Sequence, residues 1–215
     1  MKLDTTKIIQ SRLKKTQYFQ EDTPKNQIYL HHTAGGGNAE AVARYWDSTN
    51  ERVATAFIIG SRGTIVQCFS SREWGYHLGL KNSQFSNMGV PYKPLDKNSV
   101  GIEVCNFGPL KEKDGKFYNY VGGVIDPSQV TKLDEPFKGH FYWQKYTDAQ
   151  IESLRQLVVY LCETYDIPKD YNDDIWDLSK RAMKGEDGIF THNSVRKDKS
   201  DMYPCPRVIE MLKNL

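Results

Sequence analysis

Gln27-Ile28-Tyr29-Leu30-His31-His32-Thr33-Ala34-Gly35-Gly36-Gly37 decides how the rest of the chain is read. Apolar, β-prone residues run up to two histidines, and a glycine run stops the strand there. A histidine at a strand end is held rigidly yet faces the rim of a sheet, within reach of a metal or a substrate. Paired histidines also occur as satisfied core residues, so other residues must be counted with them.

Working outward, Asn38 caps a helix to about residue 49, with Ala41, Val42, Tyr45 and Trp46 expected on its buried side. Residues 53–59 read as a strand, Ser61-Arg62-Gly63 as a turn, and 64–67 as the returning strand of a hairpin. Residues 99–105 form another apolar strand, interrupted only by Glu103. The stretch 108–146, with turn signals at Asp114-Gly115 and Gly122-Gly123, reads as a hairpin-bearing insertion. Thr147-Asp148-Ala149-Gln150 is a capping box that opens a long helix, its core stripe running from Ile151 to Tyr165. A loop-rich segment, 169–188, leads to Gly188-Ile189-Phe190-Thr191-His192, again a strand ending in histidine. Pro206 or Arg207 starts a final helix. Residues 1–25 are expected to be an N-terminal extension, with Ile8, Ile9 and Leu13 in a short packed helix and a hinge at Asp22-Thr23-Pro24. The alternation of strands and helices predicts an α/β fold: one domain over 26–215, a central mixed β-sheet flanked by α-helices.

A formal net charge of +2 over 215 residues is too small to argue for a surface that tracks phosphates. Nucleic acid is therefore not an expected partner, and a metal-dependent nuclease built on His31-His32 and Asp201 is disfavoured. The four cysteines are widely spaced with no CxxC pair, so neither a zinc knuckle nor a disulfide scaffold follows. No apolar run reaches membrane-span length, and the N-terminus lacks a signal-peptide core. The expectation is a monomer made in the cytoplasm that needs another exit route for any action outside it.

A zinc hydrolase wants three protein ligands of the N, O or S type and one open position. His31, His192 and the cluster Lys199-Ser200-Asp201-Met202-Tyr203-Pro204-Cys205-Pro206 offer such a set. Both histidines end strands, and a carboxylate or thiolate before the last helix would complete the triad.

These residues resemble a family. Leu30 to Ala34 (Leu-His-His-Thr-Ala), Gly60 to Gln67, Trp74 to Gly79 (Trp-Gly-Tyr-His-Leu-Gly) and Asn98 to Asn106 (Asn-Ser-Val-Gly-Ile-Glu-Val-Cys-Asn) are similar to successive motifs of the zinc-dependent N-acetylmuramoyl-L-alanine amidases. Phage endolysins, bacterial recycling amidases and animal peptidoglycan recognition proteins share that type. The resemblance covers about residues 26–215 in the family's order, leaving 108–146 and 169–188 without a counterpart. It implies a bound Zn2+ and a peptidoglycan or muropeptide substrate. His31 falls on the first ligand position and His192 on the second, while His32 falls on a supporting, non-ligand position.

For the third ligand, Lys199-Ser200-Asp201-Met202-Tyr203-Pro204 matches the recycling-type Lys-x-Asp-x-x-Pro, and Cys205-Pro206 matches the Cys-Pro of other members. Asp201 lies nine residues after His192 and Cys205 thirteen. The shorter spacing is nearer the family's and puts Lys199 where a catalytic lysine is expected, so Asp201 is favoured. Glu103 matches the family's Gly-Ile-Glu motif and would be the catalytic acid–base. Another family solution uses a tyrosine where this chain has Thr55, which strengthens the case for Glu103. Trp74 and His77 resemble a substrate-groove motif; on the residues alone they read as a core aromatic and a buried hydrogen-bonded imidazole. His140 has no matching motif. The resemblance favours a phage-type endolysin acting on the cell wall after release through a separate pore. The alternatives are a cytoplasmic muropeptide-recycling amidase and a non-catalytic peptidoglycan-binding module.

Overall fold

The computed structural model describes residues 2–215. In chain order its strands and helices are β1 (Ile9–Gln10), β2 (Gln27–His32), α1 (Ala39–Ser48), β3 (Phe57–Ile59), β4 (Ile65–Gln67), α2 (Asn82–Asn87) and β5 (Ser99–Val104). There follow β6 (Lys111–Lys113), β7 (Lys116–Tyr118), β8 (Val124–Ile125), β9 (Val130–Phe137), β10 (His140–Gln144), α3 (Asp148–Tyr165), α4 (Lys180–Lys184), β11 (Gly188–Thr191) and α5 (Pro206–Lys213). Six strands make one sheet in the order β1-β4-β3-β5-β2-β11. Only the β3/β4 hairpin is antiparallel, so the sheet is mixed as expected.

The central strands β2 and β5 are almost continuously apolar because they are covered on both faces. In a parallel pair, residues opposite one another share a face, so the register decides which side chains meet. Here His31 lies opposite Glu103, and Thr191 opposite Leu30. One residue further along, His192 comes level with His31. Three chemically active side chains thus sit in a row at the C-terminal ends of β5, β2 and β11, where ligands bind in open parallel sheets.

Helix α3 starts at the capping box read from sequence: the Thr147 side chain accepts from Gln150 N while the Gln150 side chain accepts from Thr147 N. It packs against β3 and α5 and buries Leu154, Leu157, Val158 and Leu161. In α1, the expected buried face is wrong. Ala39 and Ala43 face the core, whereas Ala41 and Tyr45 are exposed and Val42 and Trp46 half-buried. Small alanines let the helix lie close on β3 and β4, and the bulky stripe beside them lines a cleft instead. Hydrophobic periodicity marks an apolar face without saying whether protein or ligand covers it.

The N-terminal segment also departs from expectation. Ile9 is in a strand, not a helix, and β1 pairs in parallel with the open edge of β4 through Ile9–Val66 and Gln10–Gln67. Ser11 N and Leu13 N continue that hydrogen bonding onto Gln67 O and Cys68 O. The unpaired β4 backbone supplies partners that a short isolated helix lacks. Nor is Asp22-Thr23-Pro24 a free hinge. Thr23 N donates to Arg72 O, Asn98 Nδ2 donates to Pro24 O, and the buried Lys25 ammonium donates to Thr23 Oγ1 and Lys97 O.

Burial lowers the Lys25 pKa to about 8, from 10.5 in the open chain, with Asp22 and Glu21 pulling it back up. Between those two values the unfolded chain binds more protons, so stability rises with pH there, by about 3 kcal/mol at most from this group. The gain is lost again as pH falls through about 8. Urea unfolding of wild type and Lys25→Met from pH 7.5 to 10.5 measures it. Wild type gains stability relative to the variant across that range; parallel profiles would contradict a packed Lys25.

Candidate active site

His31 is the penultimate residue of β2 and His192 opens the turn after β11; Asp201 arrives on the loop before α5. Their facing atoms form a triangle: His31 Nδ1 to His192 Nδ1 3.1 Å, His31 Nδ1 to Asp201 Oδ2 3.0 Å, and His192 Nδ1 to Asp201 Oδ2 2.9 Å. The far side of each ring shows which atoms offer lone pairs. His192 Nε2 lies 2.8 Å from Leu78 O. A carbonyl only accepts, so that nitrogen carries the hydrogen and the neutral ring's Nδ1 presents a lone pair. His31 Nε2 lies 3.0 Å from His77 Nδ1, and His77 Nε2 lies 3.0 Å from Ser99 Oγ. When each donates outward in turn, every nitrogen on that path is satisfied and His31 Nδ1 is also left as a lone pair.

Burial is the largest influence on His31 and lowers its pKa to about 4, against the opposing pull of Asp201. Burial alone would raise Asp201, but the two histidines outweigh it and hold the carboxylate well below its usual range. Two lone pairs and a carboxylate oxygen aimed at one point are a donor set for a cation. Metal–ligand bonds of 2.0–2.1 Å in a tetrahedron put ligand atoms roughly 3.3 Å apart. The triangle needs to open by only a few tenths of an ångström to match, so the residues fit a metal. Among the described residues, this is the group of His, Cys, Asp and Glu able to hold one.

Glu103 stands beside His31 in the neighbouring strand. Its Oε2 is buried with no hydrogen-bond partner, and burial, followed by the charge of Asp201, raises its pKa well above the usual value. Lys199 pulls the other way on Glu103, which places its ammonium within electrostatic reach. Both residues line a cleft of about 480 Å³ with His31, His192 and Asp201.

The remaining candidates are placed differently. Cys205 is buried at the start of α5, outside the donor cluster. His32 faces away from the cluster, with Nδ1 3.3 Å from Tyr146 Oη and its ring against the backbone of Gly108, where a Cβ would lie 2.7 Å from Nε2. His77 lines the same cleft, and both of its ring nitrogens are engaged with protein, so it also backs His31. Gly101 makes room for it, since a Cβ there would lie 3.0 Å from His77 Nδ1. Trp74 is a correction. It does not line the cleft; it is buried, stacked on Phe19 with centroids 3.7 Å apart, and donates from Nε1 to Glu21. Its environment comes from the N-terminal segment, whose packing the sequence does not announce. His140 packs edge-on against Trp143 in the insertion.

Residues passed over in the sequence also shape the site. Asn193, fully buried, donates from Nδ2 to Asp201 O and Met202 O and so ties one ligand's turn to the other's loop. Tyr203 stacks between Trp143 and Tyr146 and donates to Gln144 O, which anchors the same loop on the insertion. A second hollow of about 570 Å³, walled by Val42, Tyr45 and Trp46 of α1, joins the first at Thr33, Ala34, Glu103 and Tyr120.

A sequence profile of the N-acetylmuramoyl-L-alanine amidases matches residues 21–206. The chain belongs to that family. It is an amidase, an enzyme of peptidoglycan. No curated protein matches the chain. Among solved structures it is similar to PlyL (TM-score 0.56, 14% identity, 96% of each chain). It is also similar to a mutant endolysin from Bacillus subtilis (TM-score 0.53, 18% identity, 96% of each chain). A selenomethionine derivative of AmpD matches as well (TM-score 0.53, 16% identity, 98% of this chain and 99% of that one). Identities this low show a shared fold.

Placement of Trp74 under Phe19 gives it a measurable role in the amidase. Trp74→Ala is expected to cost about 3–5 kcal/mol of stability, read by denaturant unfolding, with KM unchanged for the molecules that remain folded. A raised KM with little loss of stability would return Trp74 to the substrate.

Proposed function

We propose that the protein is a zinc-dependent amidase that cleaves the bond between N-acetylmuramic acid and L-alanine in wall peptidoglycan, in the manner of a phage endolysin. The observation that carries this reading is the convergence of His31 Nδ1, His192 Nδ1 and Asp201 Oδ2 beside a half-buried Glu103 whose Oε2 has no hydrogen-bond partner. A muramoyl amide is unactivated, so its hydrolysis needs a stronger nucleophile and a stabilised oxyanion.

His31, His192 and Asp201 would hold the zinc, whose Lewis acidity polarises the amide carbonyl and acidifies the attacking water. Glu103 takes a proton from that water as it adds to the carbonyl carbon. It returns the proton to the L-alanine nitrogen as the C–N bond breaks. Its raised pKa suits a carboxyl that must keep a proton between those two events. Lys199 offsets the negative charge that gathers on the carbonyl oxygen, a contribution typically worth about 3 kcal/mol. The products are a lactyl carboxylate on the glycan and a free alanine amine. Asn193, His77 and Ser99 act indirectly by fixing the ligands. Endolysins are among its fold neighbours, and the reading includes a wall-lytic role with synthesis in the cytoplasm and release through a separate pore.

Metal analysis after zinc loading tests the ligand set. His31→Ala, His192→Ala and Asp201→Ala each lose stoichiometric zinc, and Cys205→Ala keeps it; the reverse pattern at Asp201 and Cys205 would overturn the choice of third ligand. Glu103→Gln tests the acid–base. It retains zinc but loses at least about a hundredfold in kcat, and near-wild-type turnover would remove Glu103 from the mechanism.

A further inference from the structure

The two hollows of the cleft meet beneath a single side chain from the insertion. Tyr120 sits at the tip of the β7–β8 turn, 64% exposed. The turn is well formed: Gly122 N donates to Asn119 O, Asn119 N to Gly123 O, and Gly123 N to the Asn119 side chain. Gly122 has φ +82°, a conformation that favours glycine there. From this tip the Tyr120 hydroxyl donates to Ala34 O at 2.7 Å. Ala34 belongs to the loop between β2 and α1, and that loop is itself held by Thr33 N on Val104 O and Gly35 N on Asn106 O. The Tyr120 ring rests edge-on against Phe107, centroids 6.3 Å apart. Covalently joined to the insertion at one end and hydrogen-bonded to the β2–α1 loop at the other, the side chain forms a bar over the cleft at Glu103.

We propose that Tyr120 is a substrate-selecting residue that favours peptide stems with a free end over stems cross-linked to a neighbour. The proposal rests on the amidase reading above and names its substrate class. Because the two hollows meet at Glu103 and Tyr120, the proposal places the glycan on one side of the bar and the peptide on the other. A stem with a free end threads beneath the tyrosine. A cross-linked stem has no free end, so it enters only when the hydroxyl releases Ala34 and the bar swings out. One exposed neutral hydrogen bond latches the bar, which sets the size of the preference at about two- to tenfold.

The test compares kcat/KM for a purified disaccharide-peptide monomer and its cross-linked dimer, using zinc-loaded full-length wild type, Tyr120→Phe and Tyr120→Ala. Tyr120→Phe keeps the ring and loses only the latch, so it reports on selection even if Tyr120→Ala fails to fold. Wild type is expected to prefer the monomer by about two- to tenfold, and both folded variants to bring the ratio close to one. Equal wild-type rates on the two substrates, or a preference that survives in Tyr120→Phe, would overturn the proposal while leaving the amidase reading intact. No cleavage of either substrate by wild type would overturn both.

Discussion

Parallel pairing among β5, β2 and β11 is the constraint on which the rest of the molecule depends. The register sets Glu103 opposite His31 and brings His192 level with them, so a carboxyl group and two imidazoles share one edge without any loop having to choose its conformation. Ladder hydrogen bonds fix that row far more tightly than side-chain contacts alone could. Only Asp201 must be delivered by a loop, and that loop is braced from several sides. Asn193 holds its backbone, and Tyr203 is stacked into the aromatic cluster of the insertion. Arg196 secures the same loop through Asp198 and Gly79 O.

The electrostatics follow from the same geometry. Burial drives His31, His77 and Glu103 toward their neutral forms, whereas Asp201 stays ionised because two imidazoles face it. The result is a site with one permanent anion at the donor triangle and a carboxyl able to carry a proton beside it. Such an arrangement is costly in a protein interior unless a proton or a cation lies between the imidazoles and Asp201, and Glu103 Oε2 adds a buried atom without a partner. It becomes favourable when a cation occupies the triangle. The insertion adds selectivity to this core chemistry: its base grips the Asp201 loop, and its tip closes over the cleft.

Much of this was legible in the sequence. The His31 strand, the Thr147 capping box and the strand before His192 carry local signals in period and capping, and local hydrogen bonding in the structure obeys them. What escaped was decided by distant partners. Ile9 becomes a strand because β4 has an open edge 55 or more residues away. Trp74 and His77 lie within one short motif, yet one stacks on Phe19 away from the cleft and the other hydrogen-bonds edge-on to His31. The apolar stripe of α1 looks like core in sequence and proves to be the wall of a cleft. Tyr120 is visible only as part of a turn, and nothing local shows that its hydroxyl reaches Ala34.

Digestion of purified peptidoglycan with the zinc-loaded protein, followed by identification of the new chain ends, tests the central claim most directly. The account predicts new L-alanine amines in equal number to lactyl carboxylates, with no new reducing sugars. New reducing ends, or new amines on residues other than the stem alanine, would contradict it.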